Sequence, residues 1–216
     1  LFYGGNGAVS ADMRRAAEFA LDFFPLVIGT LLFVSVYADD FKCRAMQVAI
    51  GAGVSREGIV LAKFGECALL LLFTLVPTAA LCFLLPGTRH LFYTDAEAVS
   101  VALTVAQIFL RTLGFMQLAA TLCFLTQNSL QGAIAFALLS SNAMFILITM
   151  TLLTGPLKDN VGRLRPFLYT ALLRSVQTDI QTGKPFVGIL VLALGIYMIL
   201  PLMLALLGFR KKELSF

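Results

Sequence analysis

The sequence predicts an all-α protein, a polytopic bundle of membrane helices, and three observations carry that prediction. Of its 216 residues, 59% are hydrophobic and only 13% are charged, with a mean hydropathy of +0.91. A soluble domain of this size has too little interior to hide so much apolar surface. Five apolar runs reach the length of roughly 20 residues that a helix needs to cross a bilayer. None alternates like a barrel strand, and in lipid each backbone amide must be bonded within its own segment, which leaves helix as the economical structure.

The first run, 19–37 (FALDFFPLVIGTLLFVSVY), follows a short Gly-rich lead, LFYGGNGAVSADMRR, that lacks the basic, apolar, small order of a cleavable signal. The second run is 64–85, continuing a helix that begins near Ser55. The third is 99–125, the fourth 133–153 and the fifth 186–209. All belong to a single transmembrane domain, 1–216. A sixth span is expected ahead of Leu1, which would put both ends of the complete protein on one side.

Segment 38–63 (ADDFKCRAMQVAIGAGVSREGIVLAK) separates the first two runs and is too structured for a plain loop. Phe41, Ala45, Val48 and Ala49 fall on one helical stripe, with Lys42, Arg44 and Gln47 elsewhere. Gly51 and Gly53 end this short helix. Ser55 suits the cap of the next helix and Glu57 its first turn. Two readings fit the pattern equally: an interfacial hairpin whose basic residues meet anionic lipid, or a lever that passes force to a soluble partner.

Segment 154–185 is too long for a simple turn. Gly155-Pro156 stops the fourth run, and Pro166 suits the first turn of a short amphipathic helix on which Leu168, Leu172 and Val176 recur, flanked by Tyr169 and Leu173. That helix is expected at the outer surface, either covering the end of the bundle or lidding a path. Its Arg163, Arg165 and Arg174 suit phosphate headgroups.

Orientation follows from the juxtamembrane cluster Arg210, Lys211 and Lys212, which places the tail and segment 38–63 in the cytoplasm. The opposite side would collect eight basic residues against seven, so charge counting alone does not decide. Net charge is +4 and dispersed, with no basic run interleaved with aromatics, so nucleic acid is not a partner.

Catalytic and metal chemistry find little footing. His90 is the only histidine, which excludes sites built on paired histidines. Cys43, Cys67, Cys82 and Cys123 show no CxxC spacing and read as reduced packing residues. No G-x-x-x-x-G-K-[ST] phosphate loop occurs; GAGVSREG has the wrong glycine spacing and no preceding strand. Arg111 stands out near the middle of the third run, one turn from Gln107, where an unpaired Arg costs about 3 kcal/mol or more. It lines a polar cavity, pairs with an acid such as Asp22, or marks a break in the span. Pro25, Pro77 and Pro201 fall inside runs, and the first two are candidates to kink helices where a transport path must flex. Gly188 and Gly195, and separately Gly132, Ala133 and Ala135, suit close helix approach.

Segment 38–63 resembles the cytoplasmic element between the second and third helices of ABC type-2 transporter permeases. Asp39 and Asp40 follow a span, FKCRAMQ makes a basic turn, then come Gly53-Val54-Ser55-Arg56, and Lys63 opens the next span. RLRPFLYTALLRSV (163–176) is similar to the family's Pro-Phe/Tyr external helix, and Gly208-Phe209-Arg210-Lys211-Lys212 to its basic tail. These features cover nearly the whole chain in order, although each is degenerate, and the family's first helix has no counterpart in the sequence. The resemblance implies an ATP-driven exporter of the lantibiotic or multidrug type in a bacterial cytoplasmic membrane. Its cargo would be amphiphilic: a drug, an antimicrobial peptide or a lipid-linked molecule. It implies that Phe41, Lys42, Arg44, Gln47, Gly51, Gly53, Ser55 and Arg56 couple to a separate nucleotide-binding subunit that carries ATP and Mg. A second permease copy or homologue completes the pump, and the chain itself is not an enzyme. Gln107, Arg111, Leu168, Tyr169 and Leu172 are expected along the substrate path.

Rival readings are a membrane-embedded enzyme, a secondary transporter and a non-transporting scaffold. The first needs a cluster of nucleophile, base or metal ligands that is not visible. The second needs internal repeats and buried carboxylates. The third gives no reason for the structured segment 38–63.

Overall fold

The computed structural model describes residues 21–42, 45–84, 95–141, 147, 150 and 166–211, with backbone alone at 38–42, 82–84, 95–98, 100, 101 and 211. All regular structure among the described residues is helical. A π-helical turn, Pro25–Gly29, leads into α1 (Thr30–Lys42); α2 is Ala45–Gly51, α3 Arg56–Leu84 and α4 Asp95–Thr126. Then come α5 (Ser129–Ser140), α6 (Tyr169–Gln181), α7 (Val187–Leu194), a second π turn (Gly195–Ile199) and α8 (Leu200–Lys211). Three stretches are long and apolar enough to cross a membrane: Arg56–Leu81, Ala102–Thr126 and Val187–Arg210. They mark the chain as an all-helical membrane protein.

α4 is the axis of the bundle. Its membrane-length stretch is 72% buried, against 28% for that of α3 and 17% for the α7–α8 stretch. The other two are left with bare apolar faces, such as Phe73 and Val191, which suit contact with lipid. Around α4 the aromatics form a ladder. Phe33 stacks on Phe136 at 5.5 Å, Tyr37 meets Phe124 edge-on at 5.9 Å, and Phe124 meets Phe209 at 5.1 Å. These contacts join α1, α4, α5 and α8 through rings that are almost wholly buried. Each such pair adds about 0.5–1.5 kcal/mol beyond area burial.

Residue pairings fix the directions of the helices. Gly29 lies against Thr112 and Tyr37 against Phe124, so α1 runs parallel to α4. α4 and α5 form a tight hairpin: Gln127 takes φ 56°, and the Asn128 side chain caps α5 by accepting from Leu130 N at 3.0 Å and Gln131 N at 3.4 Å. Close approach follows at Gly132, where a Cβ would collide with Cys123 Sγ, as its small-residue setting predicts. The α2–α3 elbow, the α4–α5 corner and the end of α8 gather at one end of the bundle.

Three expectations need correction. The fourth run does not continue as one helix through 133–153, because α5 stops at Ser140 and Ser141 is extended (ψ 133°). Twelve residues rise only ~18 Å, about half of the ~30 Å hydrocarbon layer. Secondly, α6 is amphipathic but does not lie across the end of the bundle. It runs antiparallel along α4, with Tyr169 against Leu110 and Gly114, and Gln177 against Thr104. It therefore begins near the middle of α4. Thirdly, a Cβ added at Gly188 or Gly195 would meet nothing within 4 Å among the described residues.

Candidate functional site

The elbow is built by local chemistry. α2 ends in paired hydrogen bonds, Val54 N to Ala49 O and Gly53 N to Ile50 O, both 3.0 Å. This is the pattern that needs a left-handed residue, and Gly53 supplies it at φ 92°. Ser55 Oγ then accepts from Gly58 N at 3.1 Å, capping α3 as its position predicts, with Glu57 in the first turn.

Burial revises the expected stripe. On α2, Met46 is buried, and Ala49 and Ile50 pack against the core, whereas Ala45 and Val48 point outward. The inward face is thus rotated away from Ala45 and Val48. Gln47 is half-buried; Gly51, Gly53 and Ser55 are exposed. Phe41 and Lys42 belong to the last turn of α1, with only their backbone described, and Arg44 lies outside the described residues. Among the described residues the elbow presents outward Val48, Ala52, Val54 and Ser55, with Glu57 exposed beside them.

Arg56 is turned to a task that sequence spacing did not reveal. Its Nη1 donates to the Phe209 carbonyl at 3.2 Å, and its guanidinium sits 6.0 Å from the centroid of that ring. The carbonyl belongs to the last turn of α8, where helix oxygens lack intrahelical partners and a cation is favoured. Beside it, Glu57 and Arg210 approach to 3.8 Å, both exposed, an interaction of small energy. The elbow is therefore tied to the end of the last helix.

A second locus lies at mid-height on α4. Arg111 is 6% exposed, and its Nη2 donates to Asp22 Oδ1 at 3.3 Å. Of the three readings open for Arg111, pairing with Asp22 is the one realised. Its Nε is buried and has no hydrogen-bond partner among the described residues. Gln107, one turn away, is half-buried. Tyr169 is buried: its hydroxyl donates to Leu110 O at 2.6 Å, and its ring stacks on Tyr197 at 4.4 Å. Tyr197 in turn donates to Phe167 O at 2.9 Å. Leu172 is buried and Leu168 half-buried. Tyr169 and Leu172 thus pack into the core in this structure, where Gly114 makes room for the tyrosine ring. Thr121 also bridges helices, its Oγ1 within 2.9 Å of both Gln117 O and Pro201 O.

Sequence reasoning missed Phe209 as the acceptor for Arg56. That pairing leaves no local signal, since it joins helices far apart in the chain. Among the described residues no group of three or more His, Cys, Asp or Glu could hold a metal. Comparison with protein-family models, with curated proteins and with solved structures finds no match. Fold and site together define the class: an all-helical membrane protein with an exposed elbow latched to α8, and an ion pair at mid-height between buried Arg111 and half-exposed Asp22.

Proposed function

We propose that the chain is the permease subunit of an ATP-driven exporter of the ABC type-2 kind, passive in itself and driven through the elbow by a separate nucleotide-binding subunit. The observation that carries this reading is the construction of the elbow. A helix ended by a left-handed glycine and a helix begun by a serine cap meet in a defined corner that exposes Val48, Ala52, Val54 and Ser55. Such a corner has the fixed shape that insertion into a cleft of a soluble protein requires. The latch from Arg56 to α8 gives displacement of the corner a route into the bundle.

On this reading the elbow faces the cytoplasm of a bacterial cell, and ATP and Mg belong to the partner. A second permease copy completes the translocation path, and the cargo is amphiphilic. The decisive experiment isolates the chain from its host in mild detergent and tests companion proteins for ATP hydrolysis. An ATPase that co-purifies, and whose turnover falls when Gly53 is replaced, supports the reading. Absence of any nucleotide-hydrolysing companion refutes it.

A further inference from the structure

We propose that Arg111 binds the phosphate head of an amphiphile that enters from the surrounding lipid and takes the place of Asp22. The resting ion pair is incomplete. Nε–H and one Nη2–H share an edge of the guanidinium plane and form the fork that arginine offers to oxyanions. Here Asp22 Oδ1 engages only Nη2, at 3.3 Å, longer than the ~2.7–2.9 Å of a strong charged hydrogen bond. Nε, on the same edge, is buried and has no partner among the described residues. A polar hydrogen held out of water without an acceptor is costly, so the fork stands half filled.

The surroundings favour an added anion. Arg111 is almost wholly buried while the Asp22 side chain is 50% exposed, so the counter-ion approaches from the open side and can swing away. Arg174 is exposed on α6, which packs along α4, and its charge opposes that of Arg111. The surroundings of the guanidinium are thus short of negative charge. A phosphate, with several oxygens, can fill the whole fork, which the one engaged carboxylate oxygen does not do. Phe23, adjacent to Asp22 in the chain, and Val27, one to two turns on, are exposed apolar side chains that suit an alkyl tail.

The inference depends on the permease reading only in taking the bound molecule for cargo; binding itself needs no second subunit. The test uses the full chain in neutral maltoside micelles, titrated with dodecyl phosphate and followed by phosphorus NMR. Saturable binding is expected. R111Q should weaken it about tenfold or more, the loss of one to two charge-assisted hydrogen bonds. R174Q, at an exposed position that leaves the core intact, should weaken it about threefold, and D22N should tighten it by removing the competitor. If R111Q fails to fold, the other two variants carry the test. Equal affinity in wild type and R174Q, or weaker binding in D22N, overturns the site. Inorganic phosphate binding as tightly as dodecyl phosphate overturns the amphiphile. An ATPase partner that is never found would leave these titrations unaffected, so the two failures are distinguishable.

Discussion

Arg56 donates a hydrogen bond to the carbonyl oxygen of Phe209 at 3.2 Å, across 153 positions of sequence. One residue thus joins the first turn of α3 to the last turn of α8, at the ends of two of the stretches long enough to cross a membrane, Arg56–Leu81 and Val187–Arg210. Replacing it separates coupling from folding. Arg56→Ala should lower stability modestly, by about 1 kcal/mol for one partly exposed charged hydrogen bond, read as a small fall in the thermal midpoint in detergent. ATP turnover stimulated through the partner should fall much further. Arg56→Lys, which keeps charge but loses the planar fork, should recover stability better than coupling.

Gly53 and Gly51 make a matched pair for the elbow. Gly53 holds φ 92°, whereas Gly51 is helical, and an added Cβ at Gly51 meets nothing within 4 Å. Gly53→Ala should therefore cost about 1–2 kcal/mol, while Gly51→Ala should be neutral or slightly stabilising. Thermal unfolding of the two variants side by side checks this. Equal effects would show that the corner does not depend on its left-handed residue.

The packing of α6 on α4 rests on Gly114 and Tyr169. A Cβ at Gly114 would come within 2.7 Å of Tyr169 Oη, so Gly114→Ala should destabilise by about 1–3 kcal/mol through overpacking. Tyr169→Phe should cost about 1 kcal/mol for the lost bond to Leu110 O. Because the two side chains meet, the double variant should be less destabilised than the sum of the single ones. A thermal-midpoint cycle measures that interaction.

Cys67 and Cys123 are unbridged thiols with 2% and 0% exposure. Both should resist a water-soluble maleimide in the folded protein and react fully after denaturation in dodecyl sulfate, with the sites read by peptide mass spectrometry. Rapid labelling of Cys123 in the folded state would mean that the close contact of α4 with Gly132 opens readily.

Much of this architecture is written in local pattern. Apolar length marks the membrane-crossing stretches 56–81, 102–126 and 187–210, and glycine and serine chemistry marks the turn at Gly53 and the cap at Ser55. The partner of Arg111 was also foreseeable, because a cation at that depth needs an acid and Asp22 is one of few near a span. Hydropathy could not show that the fourth run breaks at Ser141, since apolar residues continue on both sides of the break. It could not place α6 either. The pattern of Leu172 and Val176 shows which face is buried, but an amphipathic face fits a headgroup layer and a protein groove alike. The stripe on α2 was rotated for a related reason: seven residues of nearly uniform apolarity leave the helical phase to tertiary contact.

The π turns at Pro25–Gly29 and Gly195–Ile199 interrupt two helices that flank α4. An i-to-i+5 turn holds its carbonyls less tightly than regular helix and often serves as a bend. Each of the two helices is therefore a pair of rods with a softer joint rather than one stiff strut. Tilting the elbow end would flex these joints before it moved the far end. Since Tyr197 sits within the second joint and stacks on Tyr169, the first contact to feel such flexing would be the one that seats α6 against the axis.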